Sequence, residues 1–247
     1  MGKTYKNFLR NIKRKFFTKI DSYMQKEFYH GSCHSYSQCG EDMIIRFAFN
    51  AMGICEPSFL DIGAHHPFYL SNTAHFYMSG SRGVNIEANP QLLQDFRKYR
   101  PHDVNLNLGI MDEPSCSTFY IMDPPYMSTF SKEEAEDLIN THGYKIVETI
   151  DIQASTVTDI VDKYFSGGKP QFLSLDVEGY DEKIIRSIDF DRWSPIIICC
   201  ETVSFAMKGK SEKNYSIMEF LKSSGYMVYG DTNINTIFVR EDVWNSR

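Results

Sequence analysis

The chain has 247 residues, of which 42% are apolar and 23% are charged, and its net charge is −6. This composition is typical of one globular domain of the larger sort, and it excludes a disordered, collagen-like or disulfide-scaffolded chain. The sequence also contains no run that approaches the ~20 apolar residues of a membrane-spanning helix, so we expect a soluble protein.

The first twenty residues are rich in Lys and Arg and contain no Asp or Glu, so the rest of the chain is more acidic than the total charge suggests. An acidic body excludes a general nucleic-acid binder, which needs a basic surface. Over residues 4–28, apolar side chains recur at spacings of three and four, which predicts a basic amphipathic helix. Such a helix either packs on the body or contacts an anionic membrane surface or a partner, and both alternatives stay open.

The N-terminus has no apolar core of a secretory signal, and the six cysteines include no C-x-x-C and no zinc-ligand spacing. We therefore expect a cytoplasmic protein with reduced thiols, with peripheral contact at the inner face of the membrane as the alternative. The oligomeric state is not predicted.

From residue 41 onward, helical and strand patterns alternate. A helix is predicted over 41–51, with Ile44, Ile45, Phe47, Ala48 and Ala51 facing inward. Short apolar runs predict strands at 58–63, 83–87, 104–108, 172–177 and 196–200. Ser71, Pro90 and residues 215–222 mark further helices, and the runs 226–229 and 236–239 predict a C-terminal hairpin. This order predicts an α/β fold with a mostly parallel sheet and an antiparallel C-terminal hairpin.

We divide the chain into the basic helix within residues 1–30 and one domain over 31–247. The region from about 116 to 154 interrupts the alternation and is predicted to be an insertion. Within it, Ser131 and Glu134 fit a capping box at the start of a helix, and residues 149–153 fit a strand.

Acidic residues end several of the predicted strands, namely Asp61, Glu87, Asp176, Glu178 and Glu201. Because ligands bind beyond the carboxyl ends of parallel strands, these side chains predict one acidic crevice. Glu87 suits the two hydroxyls of a ribose. The sequence has no G-x-G-x-x-G, which disfavours a nicotinamide oxidoreductase, whereas a cationic sulfonium on an adenosine suits an acidic rim. The alternative is that each carboxylate caps a helix or ends a strand in solvent.

These motifs resemble the FkbM-type family of S-adenosylmethionine-dependent methyltransferases. The resemblance is carried by residues 36–42 (YSQCGED), 59–67 (FLDIGAHHP), 71–73 (SNT), 82–90 (RGVNIEANP), 172–179 (FLSLDVEG) and 195–201. It implies a Rossmann-like class I methyltransferase with a seven-stranded sheet. The implied activity is methylation of a hydroxyl on a sugar, glycan or related secondary metabolite. A non-catalytic protein that binds the cofactor or a partner on the same fold is the alternative.

The resemblance also assigns roles to residues. S-adenosylmethionine, with S-adenosylhomocysteine as product, would be bound by Asp61, Gly63, Ala64, His65, Asn72, Glu87, Ala88, Asn89, Asn107, Gly109 and Asp176. Two departures concern Pro67, where many methyltransferases have a glycine, and Asn107, where an acid often contacts adenine.

Methyl transfer to a hydroxyl needs a base, and the chain offers Asp176, His66 and His65 for that role. The acceptor pocket or its lid is expected to involve Gln38, Glu41, Tyr126, Ser128, Thr129, Glu178 and Glu201. A divalent metal held by Asp176 and Glu178 is possible on chemical grounds but is not favoured, and no metal ligands are assigned.

Overall fold

The structure is a computed structural model that describes residues 34–165, 168–177, 179–204 and 212–247. The strands are, in chain order, β1 (Phe59–Ile62), β2 (Gly83–Ile86), β3 (Val104–Leu106), β4 (Gly109–Ile110), β5 (Ser115–Asp123), β6 (Lys145–Ser155), β7 (Phe172–Leu175), β8 (Ile197–Glu201), β9 (Val203–Ser204), β10 (Glu212–Lys213), β11 (Tyr226–Asp231) and β12 (Asn235–Arg240). The helices are α1 (Glu41–Ala51), α2 (Ala74–Met78), α3 (Pro90–Tyr99), α4 (Lys132–His142), α5 (Val157–Tyr164), α6 (Asp181–Ser187), α7 (Tyr215–Ser223) and α8 (Glu241–Asn245).

Seven strands form the main sheet, in the order β11-β12-β8-β7-β1-β2-β3. The five strands from β8 to β3 are parallel, and β12 and β11 are antiparallel to their neighbours. The α/β class, the mostly parallel seven-stranded sheet and the C-terminal hairpin are therefore confirmed. The strand order reverses direction between β1 and β7, and the carboxyl ends at such a point form a crevice.

The sheet is covered on both faces because neighbouring residues of a strand point to opposite sides. Phe172 and Ile197 pack with α1 and α2 on one face. Leu173 and Ile198, the next residues along the same strands, pack with α5, α6 and α7 on the other. Every residue of β1 and β7 is buried, which explains why these strands appear in the sequence as short continuous apolar runs.

The inward face predicted for α1 is partly wrong. Phe47 is 64% exposed and Ala51 is also exposed, whereas Glu41 and Asp42 are buried with Ile45. The helix is rotated because its two acidic residues bind the preceding loop. The Asp42 carboxylate accepts hydrogen bonds from the Ser35 and Ser37 hydroxyls and the Tyr36 N–H, and the Glu41 carboxylate accepts one from the Cys39 N–H.

The predicted insertion forms most of a second sheet, in the order β4-β6-β5, whose first strand, β4, precedes the predicted bounds. β6 is more than twice as long as the strand predicted for 149–153. Its first four residues are all exposed, and the two apolar ones among them, Ile146 and Val147, are adjacent and so break the alternation that marks a strand with one buried face. The Ser131 hydroxyl accepts the Glu134 N–H as predicted, whereas the Glu134 carboxylate accepts the Thr129 hydroxyl at 2.6 Å. The helices α5, α6 and α8 were not predicted.

Residues Ser35–Arg247 form one compact unit. The basic helix predicted within residues 4–28 lies outside the described residues, as does Glu178, so both stay predictions. None of the described helices is both long and apolar enough to cross a bilayer.

Candidate functional site

A cavity of about 710 Å³ opens at the carboxyl ends of the parallel strands. Its size is in the range of pockets that bind small molecules. The predicted site residues that line it are Gln38, Gly63, His65, Asn72, Glu87, Ala88, Gly109, Tyr126, Ser128, Thr129, Asp176 and Glu201. The remaining predicted residues of the described part, namely Glu41, Asp61, Ala64, His66, Asn89 and Asn107, lie outside this lining.

The loop after β1 passes very close to the end of β7, the strand beside β1 where the strand order reverses. Gly63 has φ +76°, and a Cβ at this position would lie 1.7 Å from the carbonyl oxygen of Asp176. The Gly63 and Ala64 N–H groups donate to the Ile86 carbonyl, and the Asp176 N–H donates to the Ile62 carbonyl. Only glycine fits here, so Gly63 allows the β1 loop and the end of β7 to form one continuous wall.

Glu87 ends β2 with a carboxylate that is fixed by two backbone donors. Its Oε2 accepts the His65 N–H at 2.8 Å, and its Oε1 accepts the Asn89 N–H at 2.7 Å. Burial raises its pKa to about 7, and the nearby Asp61 and Asp176 carboxylates reinforce the effect. Each oxygen retains acceptor capacity beyond its backbone bond, so the group is prepared to accept two hydroxyls from a ligand in the cavity.

Asn107, Asn89 and Ala64 hold the turn around Glu87 without lining the cavity. The Asn107 amide donates to the carbonyls of Glu87 and Ala88, at 2.9 and 2.8 Å. The Asn89 side chain accepts the Gln91 N–H and so caps α3, where Pro90 is the first residue, as the sequence predicts. Ala64 packs beneath, in a small cluster with Leu93 and Phe96.

Asp61 lies below the cavity floor, in a buried hydrogen-bond chain. Its Oδ2 accepts the Thr73 hydroxyl at 2.5 Å, and the Thr73 Oγ1 accepts the Arg100 Nη1–H at 2.9 Å. Arg100 is fully buried and forms an ion pair with Asp103. Burial raises the pKa of Asp61, although the Arg100 charge opposes this shift. These hydrogen bonds connect β1 to the start of α2 and the end of α3.

The two adjacent histidines have different surroundings. The His66 Nδ1 accepts the Phe68 and Tyr69 N–H groups, at 3.1 and 2.9 Å, so a neutral His66 carries its proton on Nε2. His65 lines the cavity in the left-handed region, with φ +53°. Burial, and then the neighbouring His66, lowers the pKa of His65, which favours a neutral ring at neutral pH.

Aromatic rings form the rim of the cavity near His65. The Tyr126 ring centroid lies 6.4 Å from that of His65, and the Tyr69 centroid lies 6.5 Å from it. Both tyrosines line the cavity and remain largely exposed, at 61% for Tyr69 and 47% for Tyr126. We call these three side chains the aromatic rim.

Asp176 and Glu201 stand side by side at the cavity floor. Leu175 pairs with Cys200 in the β7–β8 ladder, so the next residue of each strand lies about one strand spacing, ~5 Å, from the other. Burial raises the pKa of Asp176 to about 6 even though its side chain is open to the cavity, because protein atoms surround the cavity itself. Burial and the Asp176 carboxylate raise that of Glu201 to about 9.

Two further carboxyl groups stand behind this pair. Burial and Asp176 raise the pKa of Asp181 to about 7, and burial raises that of Glu134. Within the described ranges, no group of three or more His, Cys, Asp and Glu side chains is arranged to hold a metal ion.

The remaining predicted acceptor residues divide into two groups. Gln38, Tyr126, Ser128 and Thr129 line the cavity, and the Ser128 hydroxyl donates to the Pro125 carbonyl at 2.7 Å. Glu41 does not line it. Burial alone would raise the pKa of Glu41, but hydrogen bonds from the Asn235 side chain and the Cys39 N–H hold it below its usual range.

Several residues of the cavity wall were missed by the sequence reasoning. Tyr69 and Leu70 come from an irregular segment in which Leu70 has φ +55°, and no sequence pattern marks it. Asn235 pairs with Glu201 in the β8–β12 ladder and donates to the Glu41 Oε1 at 3.0 Å. Its position could have been found by extending the predicted hairpin toward the acidic end of β8.

Comparison with known proteins gives one family. The model of the methyltransferase FkbM domain matches residues 61–228, about two thirds of the chain. No curated protein matches significantly.

Two solved structures show weak similarity. Methyltransferase FkbM from Methylobacillus flagellatus KT aligns at 12% identity with a TM-score of 0.44, over 74% of this chain and 43% of that one, so this chain spans less than half of that protein. The cofactor-bound Rv0187 from MTB aligns at 11% identity with a TM-score of 0.38, over 90% of this chain and 96% of that one.

Proposed function

The chain belongs to the FkbM methyltransferase family, and we propose that it is an S-adenosylmethionine-dependent O-methyltransferase that modifies a hydroxyl of a sugar, glycan or related metabolite. The observation that carries this proposal is the Glu87 carboxylate, fixed by two backbone N–H groups at the edge of a cavity of about 710 Å³.

The cavity residues fit the parts of the cofactor. Glu87 would accept the two ribose hydroxyls, and Ala88 and Gly109 would lie beside the adenine. The bare backbone of Gly63 leaves room for the methionine part along the β1 loop, between His65 and Asn72. When bound, S-adenosylmethionine supplies an electrophilic methyl group on a sulfonium. The Asp176 carboxylate, which is ionised at neutral pH, suits a positive charge at that place.

Methyl transfer forms a bond from the acceptor oxygen to carbon, breaks the carbon–sulfur bond, and releases the hydroxyl proton. We assign the proton to Asp176, because this carboxyl opens into the cavity and its pKa of about 6 leaves it ionised at neutral pH. His65 is the alternative proton acceptor, since its ring is neutral at neutral pH. A neutral His66 is a poor base, because its Nδ1 is occupied by two N–H donors.

A sugar acceptor is supported by the aromatic rim. The faces of Tyr69, Tyr126 and His65 offer flat apolar surface at the entrance, while the polar side chains of Gln38, Ser128 and Thr129 line the wall. Carbohydrate rings combine apolar C–H faces with hydroxyl edges, which matches this mixture.

The test is a calorimetric titration of the full chain with S-adenosylhomocysteine, followed by mass-spectrometric detection of methyl transfer to a panel of glycosides. We expect micromolar binding by the wild type and a loss of at least ~30-fold in Glu87→Ala, since two charge-assisted hydrogen bonds are removed. Glu113→Ala, at an exposed carboxylate, is the matched control and should bind normally.

Two results would change the proposal. A folded wild type that binds neither S-adenosylmethionine nor S-adenosylhomocysteine would refute it. Tight binding of both without transfer to any acceptor would favour the non-catalytic alternative.

We also propose a cytoplasmic location, with residues 4–28 in contact with an anionic membrane surface. The support is the basic amphipathic pattern of that segment. Co-sedimentation of the full chain with phosphatidylglycerol vesicles, compared with a variant in which Lys13, Arg14 and Lys15 are Glu, tests the proposal. Equal sedimentation of the two proteins would contradict it.

A further inference from the structure

The cavity has two chemically different ends. The cofactor end is built around Glu87, at the end of β2. The other end, which we call the acidic end, consists of Asp176 and Glu201 with Glu134 and Asp181 behind them. Three strand spacings separate β2 from β8, about 14 Å, so a ribose held by Glu87 does not reach Glu201. The acidic end therefore faces the acceptor.

The acidic end has no positive partner in the described part of the protein. None of the described residues that line the cavity is Lys or Arg. On neighbouring elements, Lys213 is paired with Asp231 at 2.6 Å and Arg186 with Glu182 at 2.9 Å, and the Lys183 Nζ lies over the Tyr180 ring, 5.0 Å from its centroid. Among the described residues, therefore, none supplies a cation to this end of the cavity.

The two carboxylates that line the acidic end also lack hydrogen-bond donors. Among the described residues, no hydrogen bond reaches the side chain of Asp176 or of Glu201, whereas Glu41, Asp42 and Glu87 each accept several. Glu87, at the other end of the cavity, is thus fixed and satisfied, whereas Asp176 and Glu201 accept no hydrogen bond from a described residue. Unsatisfied acceptors inside a cavity are the groups that a bound ligand satisfies.

Resting on the methyltransferase function proposed above, we propose that the acceptor is a hydroxyl compound that also carries a cationic amine, and that Asp176 and Glu201 bind the ammonium group. An ammonium provides up to three N–H donors and a positive charge, which matches two adjacent carboxylates without donors. The aromatic rim suits the same ligand, because a cation is also attracted to the faces of tyrosine rings. Phosphorylated and uronic-acid acceptors are disfavoured by the same charges.

The raised pKa values at the acidic end agree with this assignment. Burial, and then repulsion by the Asp176 carboxylate, raises the pKa of Glu201 to about 9 and that of Asp181 to about 7. A bound ammonium would lower both, so binding of an amine at neutral pH should release protons from the protein.

The experiment uses the full chain saturated with S-adenosylhomocysteine. Methyl 2-amino-2-deoxyglucoside and its N-acetyl derivative are titrated at pH 7, because they differ in charge and share the ring and the 3-, 4- and 6-hydroxyls. We expect the amine to bind at least about tenfold more tightly, with proton release detected by calorimetry in two buffers of different ionisation enthalpy. Glu201→Gln should reduce the preference to less than about threefold, whereas Glu113→Ala should retain it.

The outcomes separate the two proposals. Equal binding of both sugars, preference for the N-acetyl derivative, or no binding of either would overturn the cationic acceptor while S-adenosylhomocysteine binding keeps the methyltransferase proposal intact. Failure of the wild type to bind S-adenosylhomocysteine would overturn both. Unchanged S-adenosylhomocysteine affinity and thermal unfolding of Glu201→Gln show that this variant is folded.

Discussion

The ionisation of Glu87 predicts that cofactor affinity depends on pH. In the free protein, burial raises the pKa of this carboxyl to about 7, and both of its oxygens already accept backbone N–H groups. A ribose diol donates two hydrogen bonds, which the ionised carboxylate accepts more strongly than the protonated acid does. Binding of S-adenosylhomocysteine therefore requires Glu87 to lose its proton.

The magnitude follows from that pKa. With a pKa of about 7, the ionised fraction of Glu87 is about one tenth at pH 6 and about nine tenths at pH 8. The dissociation constant of S-adenosylhomocysteine should therefore be about tenfold higher at pH 6 than at pH 8. Calorimetric titrations at half-unit steps between pH 6 and pH 8.5 measure this slope. Glu87→Gln, which cannot ionise, should bind weakly and with little pH dependence.

The same group links pH to folding. The pKa of Glu87 is higher in the folded protein than its usual 4.5, so its stabilising contribution is present below pH 4.5 and is lost as the pH rises through about 7. The loss is about 3 kcal/mol for this shift. Urea denaturation of the ligand-free protein should show this trend, reduced in Glu87→Gln. A dissociation constant that is flat between pH 6 and pH 8 would refute the assignment of Glu87 to the ribose.

Three further substitutions test other parts of the structure. Gly63→Ala should lower the free energy of unfolding, measured in urea, by at least ~3 kcal/mol, because its Cβ would meet a backbone oxygen. Gly143→Ala, at a similar φ but with open space around it, should lower it by only ~1 kcal/mol. Equal losses would contradict the close approach at Gly63. Arg100→Met should lower the free energy of unfolding by ~3–5 kcal/mol, because it leaves the buried Asp103 carboxylate unpaired. Arg186→Met, at an exposed ion pair, should lower it by less than ~1 kcal/mol. A small loss in Arg100→Met would show that the buried pair contributes little to stability. Asp176→Asn should reduce the methyl-transfer rate by ~10²–10⁴ while the affinity for S-adenosylhomocysteine stays within a few-fold, and a rate near that of the wild type would remove Asp176 as the base.

Much of the fold follows from the sequence because its strands are buried on both faces. A strand such as β1 or β7 then appears as a short apolar run that ends in an acid, and the alternation of such runs with helices leaves few topologies. The acidic crevice follows from the same reasoning, since the carboxyl ends of parallel strands meet at one edge.

The features that the sequence does not reveal depend on tertiary contacts. Nothing local shows that Arg100 is buried, because its burial depends on Asp103 and on three aromatic rings, those of Phe59, Tyr77 and Phe96. The rotation of α1 depends on the loop that Asp42 binds. Asp61 is predicted to line the cavity, but its hydrogen bond with the Thr73 hydroxyl holds it in the buried hydrogen-bond chain below the cavity floor.

The second sheet has a consequence for how new specificities could arise. Gly109 pairs with Ala154 and Ile110 with Ser155, so the segment between them leaves and re-enters the domain at points one strand spacing apart. This segment contributes one contiguous wall of the cavity, including Phe119 and residues 125–130, while Glu87 and the β1 loop lie outside it. Exchanging residues 111–153 as a cassette between relatives would then change the cavity wall around Tyr126, while Glu87, Asp176 and Glu201, which lie outside the segment, would stay in place.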